Sequence, residues 1–119
     1  MSAELRLPDY LDHMVAAAGL AAGYVAGMDK AVFLSDQRTQ QAVLMNIVIL
    51  GEAAAKVLSE FPDFAAQQAD IPWRTIRAMR NRVAHAYFEV NLDLVWETAT
   101  VALPDLAARL PAVRAAAGS

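Results

Sequence analysis

Apolar residues recur at alternating intervals of three and four along most of this chain. Leu11, Met14, Ala18, Ala21, Val25 and Met28 form one such series, and Val43, Ile47, Leu50, Ala54, Val57 and Phe61 form a second. That spacing keeps one face of a 3.6-residue helix apolar, so it predicts two long amphipathic helices. Pro8 and Asp9 suit the start of the first: a missing N–H costs nothing in the first turn, and a carboxylate complements a helix N-terminus. The stretch DKAVFLSD, 29–36, reads as a loop, with Ser35 or Asp36 as the next N-cap. Pro62 ends the second helix, and 62–72 reads as a connector. A third helix opens near Trp73 and continues to 90, with Ile76, Met79, Val83 and Val90 as its apolar stripe and Tyr87 within it. A fourth runs from Asn91 or Leu92 through Leu103, and Pro104 starts a short final one to about Arg114. Sustained alternation and Asn-Gly hairpins are absent, so no strands are expected. The pattern predicts an all-α fold, an antiparallel bundle of four main helices plus a short C-terminal helix. It forms one domain over 1–115, with 116–119 as a fraying tail.

Composition changes this picture in one respect. Hydrophobic residues make up 57% of the 119, and charged residues only 19%, an apolar excess for a single small core. Either a membrane or a second buried surface would use it. Residues 14–28 come closest to a membrane span but are short and mostly Ala and Gly. No basic segment followed by an apolar one opens the chain, so no signal peptide is expected. Zero cysteines fit the cytoplasm and leave no thiolate ligands. A soluble oligomer is the preferred reading. Trp73 and Trp96 are read as core or interface anchors, and Tyr10 and Tyr24 as core.

The net charge is −3, yet Arg74, Arg77, Arg80 and Arg82 are four of the ten basic residues, with no acid between Asp70 and Glu89. A local field of that kind attracts phosphate without making the whole chain a nonspecific polyanion binder. On an ideal helix, His85 points away from the apolar stripe, near Ala78, with Asn81 and Phe88 on its flank. Asn81 lies four residues before His85 and shares its face, so it could orient the imidazole. Arg80 lies five before, ~140° around the helix. Either a local distortion or an equivalent helix from a second copy would bring both kinds of group to one target. The second option also uses the apolar excess and is preferred. A neutral imidazole can exchange protons near pH 7, and a guanidinium matches phosphate oxygens with parallel donors. Together they suit attack of a ribose 2′-hydroxyl on its adjacent phosphate, chemistry that requires neither metal nor cofactor. Two histidines, no cysteine and no clustered carboxylates offer no obvious metal site. Spacing alone leaves the bland reading open, with His85 a hydrogen-bonded interface residue, the arginines a solvated face and Tyr87 core. Glu52 either pairs with Lys56 on the surface or touches the arginine cluster, and Asp36 is more simply a cap than a site residue. His13 reads as a surface residue.

The run RNRVAHAY, 80–87, resembles the Arg-X4-His-X-Tyr motif of HepT-like proteins of the HEPN superfamily. YLDHM, DQRTQQAVLMNIVILGEAAAKV, IPWRTIRAMRNRVAHAYFEVNLDLVWE and LPDL follow in the same order, so the likeness covers nearly the whole chain. The resemblance implies a homodimeric helical bundle that cleaves RNA without metal, the toxin of a toxin–antitoxin pair. It implies Arg80 and His85 as catalytic residues, with Asn81 in support. Arg82 and Arg77 join the candidate site as supporting charge, and Glu52 and Asp36 as candidate further contacts. The resemblance also implies an MntA-like nucleotidyltransferase antitoxin that transfers AMP from ATP to Tyr87. Many members carry glycine between the histidine and the tyrosine, where this chain has Ala86. A non-catalytic RNA- or nucleotide-binding dimer, partner to such a transferase, is the alternative. A purely structural assembly module is a third reading.

Overall fold

The protein's structure, a computed structural model, describes residues 5–85 and 89–118. Helix α1 spans Leu7–Val25, opened by Pro8 and by the Arg6 N–H donating to Asp9 Oδ2 at 2.9 Å. Leu11, Met14, Ala18, Ala21 and Val25 are all buried, as their spacing predicts. Tyr24 is not: it lies exposed at the flank of the buried stripe of α1, a correction to its reading as core. Tyr10 is half-buried, its ring tilted against Phe61 at a 6.4 Å centroid separation.

The segment read as a loop contains α2, Lys30–Leu34. Five residues do not sustain a helix alone. This one is held by Asp29, whose Oδ1 accepts from Val32 N at 3.0 Å, and by Phe33, fully buried against Trp96 at 5.3 Å between ring centroids. Helix α3, Gln37–Glu60, follows its Asp36 cap and runs through the centre. By length and composition α3 could cross a membrane. It carries Glu52 and Lys56, however, and its stripe of Val43, Ile47, Leu50, Ala54 and Val57 is buried in a fold where α3 packs closely on α1. The connector also folds: α4 spans Pro62–Gln67, with Pro62 in the first turn and Ala65 buried.

Helix α5 spans Trp73–His85 and packs on α3 and on little else. Trp73 anchors its start, donating from Nε1 to the Gln68 carbonyl at 3.1 Å. The helix does not reach 90 as predicted: Glu89 has 3₁₀ geometry and Val90 is not helical. The reason lies just ahead: Asn91 caps α6, Leu92–Glu97, and takes extended backbone while its side chain accepts from Leu94 N at 3.2 Å.

Pro104 does not begin a short separate helix. A π-helical segment, Thr98–Ala102, joins α6 to α7, Leu103–Ala116, in one rod. Proline lacks an N–H, and its ring presses on the carbonyl four residues back, here Thr100. The rod widens instead of breaking: Leu103 N–H donates to Thr98 O, five residues earlier. Thr98 and Thr100 hydroxyls occupy the carbonyls of Leu94 and Trp96 at 2.8 and 2.7 Å. The tail is tied as far as Gly118, because Arg114 donates from Nε to Asp12 Oδ1 and from Nη1 to Gly118 O, both at 2.6 Å. Among the described residues every regular element is helical.

Candidate functional site

Helix α5 meets α3 at Gly51. A Cβ there would overlap Arg80 Cβ, crowd Arg80 Cγ at 2.8 Å and stand 3.1 Å from the Ile76 carbonyl oxygen. Only glycine lets the two backbones approach this closely. The stem of Arg80 therefore lies flush on α3, and its guanidinium emerges beside the next residue, Glu52. Arg80 Nη1 donates to Glu52 Oε2 at 2.9 Å. The Arg80 side chain is 22% exposed and that of Glu52 58% exposed. Arg80 Nε is enclosed and has no hydrogen-bond partner among the described residues. Lys56, the other candidate for Glu52, pairs with Glu60 at 3.9 Å. Of the two readings of Glu52, the geometry selects contact with the arginine cluster.

His85 occupies different surroundings. It is exposed at the last described turn of α5 and makes no hydrogen bond or ion pair with any described residue. The helix is regular from Trp73 to His85, so no local distortion closes the ~140° between Arg80 and His85. Within one chain the two groups do not converge. Asn81 is exposed on the His85 face without bonding the imidazole. Arg74 and Arg82 are exposed and Arg77 half-buried, and none of these three forms an ion pair among the described residues. Tyr87, with Ala86 and Phe88, lies outside the described residues.

Asp36 is not brought to Arg80. Its two carboxylate oxygens accept from Thr39, from Oγ1 at 2.7 Å and from N at 3.1 Å. These bonds, with the nearby charge of Arg38, hold the Asp36 carboxyl below its ordinary value. Sixteen residues along α3, a rise of about 24 Å, separate it from Glu52. Among the described residues no group of three or more His, Asp or Glu side chains could hold a metal ion.

Two features of α3 escape the sequence reading. Gly51 is one, although a glycine inside a helical pattern asks for a packing reason. The other is an exposed face on which Gln41, Met45, Ile49, Glu52 and Lys56 fall within about 80° of one another. Met45 is 60% exposed and Ile49 39%, so apolar surface borders the Arg80–Glu52 pair.

No solved structure matches the chain. A protein of Thermococcus cleftensis named "Probable ribonuclease HepT" is 32% identical over 106 residues, covering 89% of this chain and 94% of its own. A protein of Caldanaerobacter subterraneus subsp. tengcongensis, named as a candidate RNase, is 30% identical over 97 residues, 82% of this chain and 84% of its own. Residues 14–113 match the family described as ribonuclease HepT-like. That match spans all of α3 and α5 and most of the packing that seats Arg80, and on it the chain belongs to the HepT-like ribonuclease family.

Proposed function

We propose that this protein is a metal-independent ribonuclease, the toxin of a HepT/MntA-type pair, and that it works as a homodimer. One observation carries the reading: Arg80 is fixed on α3 with its terminal nitrogens outward, while His85 stands exposed ~140° around the same helix. A second copy, docked through the face bearing Met45 and Ile49, supplies the complementary group. Neutral His85 removes the proton of a ribose 2′-hydroxyl, and the oxygen attacks the adjacent phosphorus. Arg80 stabilises the charge gathering on the phosphorane oxygens. The P–O5′ bond breaks, the 5′-oxygen takes a proton, and a 2′,3′-cyclic phosphate remains. Asn81, Arg82 and Arg77 surround the substrate backbone with donors and positive charge.

Neutralisation follows from Tyr87. Its phenol oxygen attacks the α-phosphorus of ATP held by an MntA-like nucleotidyltransferase, pyrophosphate leaves, and the phenolic proton is lost. The adenylyl group adds bulk and negative charge beside the arginines. Ala86 stands where many members carry glycine, and alanine is the stronger helix former.

The test is cleavage of RNA in EDTA with cyclic-phosphate ends, abolished in a folded His85→Ala variant. Full activity in that variant removes the assignment. Intact mass after expression with the adjacent gene's product tests the partner: AMP units are gained, and Tyr87→Phe gains none. A non-catalytic RNA-binding dimer is the second reading, favoured by the lack of any described side chain orienting His85. It predicts RNA binding unchanged by His85→Ala and no turnover at any protein concentration.

A further inference from the structure

The two members of the Arg80–Glu52 pair are held very unequally. Arg80 is locked along its length: Cβ and Cγ press on Gly51, Nε is enclosed, and only the guanidinium end reaches the surface. Glu52 sits on the exposed face of α3, with its side chain 58% in solvent and Arg80 as its one ion-pair partner among the described residues. Separating such a pair frees a carboxylate that rehydrates readily, while the guanidinium has nowhere else to go.

Two consequences follow for an anion arriving at this site. Nε faces inward, so a phosphate can be gripped only by the end-on edge, Nη1 and Nη2. Nη1 is also the nitrogen that Glu52 holds. A carboxylate and a phosphate oxygen therefore compete for one nitrogen on a guanidinium whose stem is enclosed.

We propose that Glu52 is the resting counter-ion and positioning residue of Arg80, an internal anion that the RNA phosphate displaces from Nη1 on binding. The inference rests on the ribonuclease reading for its consequence in turnover, but the exchange itself is a statement about binding. With the site empty, Glu52 neutralises Arg80 and fixes the plane of its guanidinium. With RNA bound, the carboxylate swings to solvent and its repulsion lowers the affinity for any anion that does not fully occupy Arg80.

The experiment uses the full chain and a short single-stranded RNA, in parallel with the same oligonucleotide carrying 2′-deoxy sugars so that it cannot be cleaved. Glu52→Gln removes the charge while keeping an acceptor of the same length. It is expected to bind the uncleavable oligonucleotide about 2- to 5-fold more tightly, the weight of one largely exposed ion pair. KM for the cleavable RNA falls in step and by more than kcat changes, because the carboxylate has already left Nη1 once RNA is bound. Glu52→Asp, a shorter carboxylate, restores wild-type affinity. In an Arg80→Ala background Glu52→Gln changes nothing, since the nitrogen in contest is gone.

Equal affinities for wild type and Glu52→Gln overturn the proposal, as does an effect that persists without Arg80. The binding arm is read with the 2′-deoxy oligonucleotide, so absence of cleavage in every sample would sink the ribonuclease reading while still deciding the exchange. Glu52 is largely exposed, and circular dichroism on each variant verifies the fold.

Discussion

Two adjacent turns of one helix answer to different neighbours. At Arg80, α5 is pressed on α3 through a glycine, and the side chain is enclosed except at its tip. Five residues later His85 stands exposed, with no described partner. One half of the candidate site is thus seated by the packing of α5 on α3, and the other half carries no contact among the described residues. A guanidinium needs fixed direction to grip a phosphate, whereas an imidazole acquires its role only when a hydroxyl is brought to it.

The comparison can be broken most sharply by mixing inactive chains. Arg80→Ala and His85→Ala proteins are each expected to lose at least about a hundredfold in cleavage, by the usual weight of an oriented charge or a general base. If Arg80 of one protomer works with His85 of its partner, co-expressed differently tagged chains recover about a quarter of wild-type activity in the statistical dimer mixture. No recovery means that both groups act within one chain, against the geometry of α5. Met45→Asp with Ile49→Asp comes next: a charged pair on the apolar face of α3 should shift the sedimenting species to monomer and lower cleavage about tenfold or more at fixed concentration.

Gly51→Ala tests the built half. Overpacking at the α3–α5 crossing is expected to cost about 1–3 kcal/mol in chemical denaturation and to reduce cleavage by displacing Arg80. His85→Ala should leave the unfolding curve unchanged. The smallest effect concerns the far end of α3. Thr39 holds Asp36 in its charged form, so the carboxyl titrates lower in the folded chain than in the unfolded one. Its contribution is present above the unfolded value and is lost as pH falls through the folded one. Asp36→Asn should therefore melt slightly earlier at neutral pH, and the gap should close in strong acid.

The sequence reading went furthest where periodicity and caps agree. The α1 and α3 stripes, the Asp36 cap and the arginine-bearing helix opening at Trp73 are all visible in the order of residues. It failed where tertiary contact overrides local signals. Phe33 and Asp29 make a helix of a stretch that reads as a loop, and Pro62 opens a short helix as well as ending a long one. Pro104 looks like a start signal, yet the π segment carries the helix through it. At the site, residue types and the family motif point to Arg80 and His85. The choice between partners for Glu52 depended on a close approach at Gly51, a relation between residues 29 apart in sequence that no helical period encodes.

The widened turn at Thr98–Ala102 has a consequence for comparing this chain with others. Val95, Ala99, Leu103, Leu106, Leu110 and Val113 are all buried, and their steps of four, four, three, four and three keep them within about 80° of one another on a plain α-helix. The apolar period therefore runs through the wide turn without marking it. The turn is written in hydrogen bonding alone, in the five-residue step from Leu103 N–H to Thr98 O just ahead of Pro104. Matching apolar positions between related sequences would pass over it, whereas the backbone pairing at this point would not.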